Sequence, residues 1–369
     1  MRGRRSPQVT MLAFVNIEAR IPPDHPLRRI KSLADQALAA LSPAFDRMYA
    51  EVGRPSIPPE RLLKASLLIA LYSVRSERAF CEELDYNLLF RWFMDMGVFE
   101  ASFDPTTFTK NRARLLEHEV GQQLFDEVVA DAHERGLLSD EHFTVDGSLI
   151  EAAASLKSFK PRDGKEPPKD DDPGDPWVDF HGQKRSNATH ESTTDPEARL
   201  MRKGKGKEAK LMFTAHALME NRNGILVDFQ VTAATGRAER EMVPILLDGA
   251  IERYFRPQTL GGDKGYDTRE CVAAMRQRRV TAHVAQNNNG RRSAIDGRTT
   301  CKLGYAISQR IRKRVEEIFG WMKTVGGFRR TRFRGVDRTG LAGYLVATAY
   351  NLVRLSRLLA KPATVAVAG

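Results

Sequence analysis

The chain contains little cysteine and no long apolar run. These absences argue against a disulfide-rich secreted protein, a zinc protein and a membrane-spanning protein. Its three cysteines, Cys81, Cys271 and Cys301, are widely spaced among 369 residues, in neither a disulfide framework nor a zinc-ligand pattern. No apolar stretch approaches the roughly 18 residues that a membrane span requires. The apolar residues 11–15 are too few for a secretion signal. We therefore expect a protein of the reducing cytoplasm with no membrane-embedded part.

Histidine and acidic residues are also in short supply. The eight histidines show no paired metal-ligand spacing, and 47 Asp and Glu face 58 Lys and Arg, which gives a net charge of +11. A basic balance favours a polyanionic partner, either nucleic acid or an acidic membrane surface. The hydrophobic content of 41% is sufficient for real cores, and the length allows two domains or one large domain.

Residues 1–138 read as an all-helical domain of short helices. Proline and capping residues precede segments of helical spacing, as at residues 58–72, 76–80 and 104–114. One helix carries Lys110, Arg112 and Arg114 on a polar face, as in helix-turn-helix DNA binders. A helical dimerisation or scaffold domain is the alternative, and composition does not separate the two.

From residue 139 the pattern changes to alternating strands and helices. A strand at residues 142–146 ends at Asp146, and the Lys, Asp, Pro and Gly of residues 155–207 predict a loop-rich insertion. Within that insertion we interpret Asp170 to Asp172 as solvated loop, and a capping box at residues 194–197 predicts a short helix. The predicted strands lie at residues 210–219, 225–232, 260–263 and 280–285, the predicted helices at residues 239–254, 268–278, 309–323 and 341–359, and the predicted disordered tail at residues 361–369.

This order predicts an α/β domain at residues 139–360 with a mixed sheet flanked by helices. An antiparallel hairpin comes first in the sheet, and a more parallel half follows it along the chain. Wound as one helix, residues 309–323 place Arg312, Glu316 and Lys323 within roughly 40° of one another. An apolar stripe lies on a separate face, and Glu317 points away from both. Ordinary Arg–Glu pairs on a solvated face would give the same spacing.

Three acids occupy positions from which they can converge. Asp146 and Asp263 follow strands, and Glu316 lies on the later helix. Three carboxylates without His or Cys suit Mg²⁺ or Mn²⁺, and two such ions can act on both oxygens of an in-line displacement at phosphorus. Lys264, Arg312 and Lys323 would then neutralise phosphates. Taken singly, Asp146 and Asp263 are equally compatible with residues that only shape turns.

These motifs resemble a bacterial insertion-sequence transposase of the DDE, RNase H-like superfamily. The resemblance is to the branch with a Tyr-Arg-Glu-Lys signature, which Arg312, Glu316 and Lys323 match in type and spacing, whereas position 309 is Gln. Further similar segments are residues 145–148 and 262–267 around the aspartates, and residues 53–60, 76–78, 90–93 and 110–112 of a helical leader domain.

The resemblance implies an RNase H-like catalytic domain behind a DNA-binding leader. It implies metal-dependent cleavage of double-stranded DNA at terminal inverted repeats, strand transfer of the 3′-hydroxyl ends into target DNA, and a homodimer or larger synaptic complex. It also implies a bacterial, nucleoid-associated protein. The alternatives are an RNase H-like nuclease or resolvase that cuts without joining, and a non-catalytic, domesticated DNA-binding regulator.

Overall fold

Helices alone make up the described chain before the first strand. The computed structural model describes residues 15–50, 56–162, 185–204 and 206–360. The helices that precede the sheet are α1 (Ile17–Arg20), α2 (Pro26–Ala40), α3 (Ser42–Met48), α4 (Pro59–Leu71), α5 (Glu77–Tyr86), α6 (Leu88–Phe93), α7 (Thr106–Glu117) and α8 (Val120–Glu134).

Local sequence signals account for where these helices begin. The Ser76 side chain accepts a hydrogen bond from the Ala79 amide, and Asn87 accepts two such bonds at the start of α6. Pro59 occupies the first turn of α4, where its missing N–H costs nothing. The predicted helices of this part are confirmed to within a few residues, because caps and apolar spacing agree.

The second part alternates strands and helices. Its elements are β1 (His142–Glu151), β2 (Phe159–Pro161), β3 (His190–Ser192), β4 (Arg199–Arg202), β5 (Ala209–Glu220), β6 (Ile225–Ala233), α9 (Ala238–Glu252), β7 (Thr259–Gly262), α10 (Arg269–Gln277), β8 (Thr281–Val284), α11 (Gly297–Thr300), α12 (Leu303–Ile311), α13 (Arg314–Thr324) and α14 (Val336–Leu358).

The main sheet has the order β6–β5–β1–β7–β8. The β6–β5 and β5–β1 pairs are antiparallel, whereas β1–β7 and β7–β8 are parallel. The short strand β4 pairs with the first part of β5. This mixed order is that of an RNase H-like sheet, so the predicted fold class is confirmed.

Helices cover both faces of the sheet, as the neighbours Asp228 and Phe229 of β6 show. A Cβ at Gly249 of α9 would lie 2.5 Å from Asp228 Oδ2, whereas one at Gly343 of α14 would lie 2.5 Å from Phe229 Cε1. Successive residues of a strand point to opposite faces, so α9 and α14 lie on opposite sides. Helix α14 also contacts α2, α4, α7 and α8, and thereby joins the two parts of the chain.

The predicted single helix at residues 309–323 is wrong. The helix is broken at Arg312 and Lys313. There the Val315 amide donates to the Arg312 carbonyl oxygen at 3.3 Å and the Glu316 amide to that of Lys313 at 3.1 Å, three residues earlier instead of four. On the near side, Ser308 of α12 bonds His283 of β8 at 2.8 Å, while α13 packs against β1 and α14. Arg312 and Lys313 keep right-handed helical dihedral angles, so the break is a tight turn between two helices, and no glycine or proline in the sequence marks it.

The predicted helix at residues 194–197 is also wrong. Asp195 and Glu197 instead accept hydrogen bonds from the amides of Gly335 and Val336, where α14 begins. The capping signal was therefore real but serves a helix distant in sequence. The described part of the insertion is not only loop, because it contains β2, β3 and β4. Asp170 to Asp172 and the tail lie outside the described residues.

None of the helices in the described ranges is both long and apolar enough to cross a membrane.

Candidate active site

Asp146 lies where strand β1 loses one of its two neighbours. On one side it pairs opposite Ala217 of β5, but the parallel pairing with β7 ends at Thr144, opposite Gly261. The β7 side of β1 is therefore open at Asp146. The carboxylate is half-buried, and its Oδ1 accepts a hydrogen bond of 2.9 Å from the Gly147 amide. A strand edge opened in this way can admit side chains from both faces of the sheet.

Asp263 follows directly after β7. Its Oδ1 accepts a hydrogen bond of 2.7 Å from the Gly265 amide, which starts a 3₁₀ turn at Lys264–Tyr266. Asp263 therefore shapes a turn, which is one of the two roles that the sequence allows for it. Its carboxylate is also exposed, at the open edge of β1. Lys264 is exposed beside it.

Glu316 lies in the first turn of α13 and is exposed. Val315, Ile318 and Met322 of the predicted apolar stripe are buried and dock this helix. The adjacent Glu317 is exposed as well, and its charge acts on Tyr350 rather than on Asp146. Helical position therefore separates the two glutamates in the way the sequence predicts.

The electrostatics of Asp146 bring the three acids into one neighbourhood. Burial, as the largest cause, and the charges of Glu239, Asp263 and Glu316, in that order, together raise the pKa of Asp146 to about 7. The Gly147 amide opposes the shift. A cation bound beside Asp146 would favour the ionised form of this carboxylate.

Glu239 is an acid of this cluster that the sequence analysis missed. It lies in the first turn of α9, half-buried, and burial together with the charge of Asp263 raises its pKa, although Arg240 lowers it. The one signal that pointed to it is Gly147, because a glycine inside a strand often marks the close approach of another group. The spacing of Asp146, Asp263 and Glu316 along the chain does not indicate Glu239.

The donor set fits a hard divalent cation shared with substrate. Among the described residues, no three His, Cys, Asp or Glu side chains approach closely enough to hold an ion by themselves. Mg²⁺ commonly uses one or two carboxylates and completes its shell with water and substrate phosphate, so a closed cage is not required. The all-oxygen character of the four acids suits this cation class.

Two of the predicted cations accompany the acids. Lys323 donates a hydrogen bond of 2.6 Å to Ser148 Oγ, two residues beyond Asp146 on the same face of β1. Burial, with Lys203 and Arg329 nearby, lowers the pKa of Lys323 to about 8. Arg312 Nε donates to Gln309 Oε1 at 3.2 Å.

Gln309, which stands where the signature has Tyr, has a definite position. Its amide nitrogen donates to the carbonyl oxygen of His283 in β8, while its amide oxygen accepts the bond from Arg312. Gln309 therefore ties the Arg312 side chain to the sheet at the point where the helix is broken.

The predicted cations of α7 have partners inside the protein. Arg112 forms an ion pair with Glu77, and its guanidinium lies 4.3 Å from the centre of the Phe333 ring, beside a cavity of about 110 Å³. Arg114 lies 4.5 Å from the centre of the Tyr49 ring. Lys110 is exposed. These three residues are not brought to the acid cluster, and DNA contact by them stays a prediction.

The fold and site together define an RNase H-like enzyme whose clustered carboxylates suit phosphoryl transfer. Residues 139–352 match the family model described as "Transposase DDE domain", and residues 15–114 match the one described as "Transposase domain (DUF772)". The first match spans more than half of the chain, which therefore belongs to the DDE transposase family. It is an enzyme of DNA transposition, from a family that generally depends on divalent metal ions.

Solved transposase structures are similar to the chain at a low level. A piggyBac transposase synaptic complex with hairpin DNA is 9% identical, with 90% of this chain and 75% of that chain covered and a TM-score of 0.40. A Mos1 strand transfer complex is 11% identical, covering 84% and 79%, with a TM-score of 0.21. Similarity at this level carries no inference about the site.

Proposed function

We propose that this transposase cleaves DNA at the terminal inverted repeats of an insertion sequence and joins the freed 3′-hydroxyl ends to target DNA. In this proposal Asp146, Asp263 and Glu316 hold two Mg²⁺ or Mn²⁺ ions. The observation that supports it is the gathering of Asp263 and Glu316, which come from two further elements, around the half-buried Asp146 at the open edge of β1. A purely structural role gives no reason to gather these charges at an open strand edge.

When bound, the ions would lower the pKa of the attacking hydroxyl and stabilise the leaving oxygen. The chain itself supplies orientation. Asp146 is fixed by the Gly147 amide and Asp263 by its 3₁₀ turn, while the buried stripe of α13 sets the direction of Glu316. Fixed donors of this kind lower the cost of ordering the reacting groups.

We assign the cations around the acids to the DNA backbone. Lys323, Lys264 and Arg312 surround the cluster and would neutralise phosphates of the strand being cut. In the leader, the exposed Lys110 is the strongest candidate of its helix for contact with the duplex, with Arg112 and Arg114 positioning the surface around it. Joining two ends requires that both be held together, which supports a homodimer or larger synaptic complex.

The test uses labelled duplexes that carry the inverted repeats flanking the gene, with Mg²⁺ and a supercoiled target plasmid. The wild-type protein should release 3′-hydroxyl ends and produce joined products. Alanine at Asp146, Asp263 or Glu316 should reduce cleavage by at least about 10³-fold, while end binding in a gel-shift assay survives. Each variant removes a ligand and leaves the DNA-binding surface in place.

Glu317→Ala is the matched control, because Glu317 is the adjacent, exposed acid of the same helix turn. Its cleavage should stay near the wild-type rate. Equal losses for Glu316→Ala and Glu317→Ala, or loss of end binding in the triad variants, would contradict the assignment. Cleavage without any joined product would favour a nuclease over a transposase.

A further inference from the structure

Gly147 leaves room for the carboxylate of Glu239 against strand β1. A Cβ atom at position 147 would lie 2.5 Å from Cγ of Glu239, 2.7 Å from Oε1 and 2.8 Å from Cδ. Real Cβ atoms do not approach other heavy atoms this closely, so no side chain fits there while Glu239 keeps its position. The end of the Glu239 side chain is therefore in direct contact with the backbone beside Asp146.

The strand edge beside Asp146 is reachable from both faces of the sheet. Asp146 and Gly147 point to opposite faces, and α9 covers the face of Gly147. Strand β7 would otherwise lie beside β1 and cover this edge, but it ends at Gly262. Glu239 can thus approach the open edge from the α9 side, as Glu316 does from the α13 side.

A buried hydroxyl lies in the same place. Tyr266, in the 3₁₀ turn after Asp263, is fully buried, and its hydroxyl has no hydrogen-bond partner among the described residues. The charges of Asp146, Glu239 and Asp263 all raise the pKa of this hydroxyl, after burial as the largest cause, so it faces these acids. An unsatisfied buried hydroxyl costs roughly 1–3 kcal/mol, which is a reason to expect an oxygen-rich partner there.

We propose that Glu239 is a fourth carboxylate ligand for the divalent cations of this site, with Gly147 providing its space and Tyr266 donating to its carboxylate or to cation-bound water. This inference rests on the proposed function and adds a residue to it. Two cations that share only three carboxylates must take most of their ligands from water and DNA. A fourth acid from α9 supplies another oxygen on the side opposite Glu316.

The experiment measures Mn²⁺ binding to the full chain by isothermal titration calorimetry at pH 8, without DNA. Replacement of a residue that supports a metal site commonly lowers affinity by about 10–100-fold. Glu239→Gln should therefore weaken Mn²⁺ binding about tenfold or more. Glu241→Gln is the matched control, because Glu241 is exposed in the same first turn of α9, and it should bind as the wild type does.

Gly147→Ala provides a second test that removes no charge. The added Cβ displaces the Glu239 carboxylate, so Mn²⁺ affinity should fall although every acid is still present. Thermal denaturation without metal accompanies each titration. A lower melting temperature for Glu239→Gln with unchanged Mn²⁺ affinity would make Glu239 a structural residue and overturn the inference.

Asp146→Asn in the same titration separates this inference from the proposed function. If Asp146→Asn weakens Mn²⁺ binding but Glu239→Gln and Gly147→Ala do not, the fourth ligand is refuted and the three-acid site stands. If Asp146→Asn also binds as the wild type does, the three-acid metal site fails, and the fourth ligand fails with it.

Discussion

The acid cluster should make the metal-free protein less stable than it would be without Asp146. Burial and three neighbouring carboxylates raise the pKa of Asp146 from its ordinary 3.8 to about 7. A raised acid pKa means that the folded state holds the proton more tightly than the unfolded state. The free energy of unfolding therefore decreases as the pH rises from about 4 to about 7, and the loss is complete above pH 7.

The magnitude follows from that difference in pKa. At 1.36 kcal/mol for each pKa unit, ionisation of Asp146 costs the folded state about 4 kcal/mol at pH 8. Asparagine cannot ionise, and its side-chain oxygen can still accept the hydrogen bond from the Gly147 amide. We therefore expect Asp146→Asn to raise the free energy of unfolding by about 4 kcal/mol at pH 8 and by almost nothing at pH 4.

Urea denaturation followed by tryptophan fluorescence measures this difference, with EDTA present to remove metal. The exposed Asp46 of α3 is the control, and Asp46→Asn should leave the pH dependence of stability unchanged. Added Mn²⁺ should stabilise the wild-type protein and not the Asp146→Asn variant, because ligand binding stabilises only a state that binds it. A variant that is equally stable or less stable at pH 8, or a gain that does not vary with pH, would refute the reasoning.

Three further outcomes are expected. Lys323→Ala should weaken DNA binding and lower the slope of log K against log salt by about 1, as measured by fluorescence anisotropy, and an unchanged slope would remove Lys323 from the DNA surface. Burial lowers the pKa of His216 to about 4. Because the unfolded state then binds the proton more tightly, the contribution of His216 to stability should fall by about 3 kcal/mol between pH 6.5 and pH 4. Measured as the difference in free energy of unfolding from His216→Gln, this fall should appear in the wild type and in the part-exposed control His118→Gln alike. Arg253→Met leaves the buried Asp228, 3.3 Å from the guanidinium, without its cation, and should lower the free energy of unfolding in urea at pH 8 by about 3–5 kcal/mol. A loss below 1 kcal/mol would show that this pair does not stabilise the packing of α9 on β6.

Local chemistry determined most of the secondary structure. Ser76, Asn87 and Pro59 mark helix starts, and the turn at Asn223 and Gly224 between β5 and β6 fixes the hairpin, because these caps and this turn involve only residues that are neighbours in sequence. The alternation of strands and helices from residue 139 was also sufficient to predict a mixed sheet. Arg312, Glu316 and Lys323, with Asp146 and Asp263, could be predicted as candidate site residues because motif spacing is a property of the chain.

Only the tertiary structure decided where the helix at residues 309–323 breaks and which acids meet. The break at Arg312 arises because α12 and α13 dock on different surfaces, and Asp195 caps a helix 140 residues away. Glu239 stands 93 residues from Asp146 in sequence and contacts the backbone of the next residue, Gly147, because Gly147 lacks a side chain. Contacts between distant elements depend on packing, which spacing along the chain does not encode.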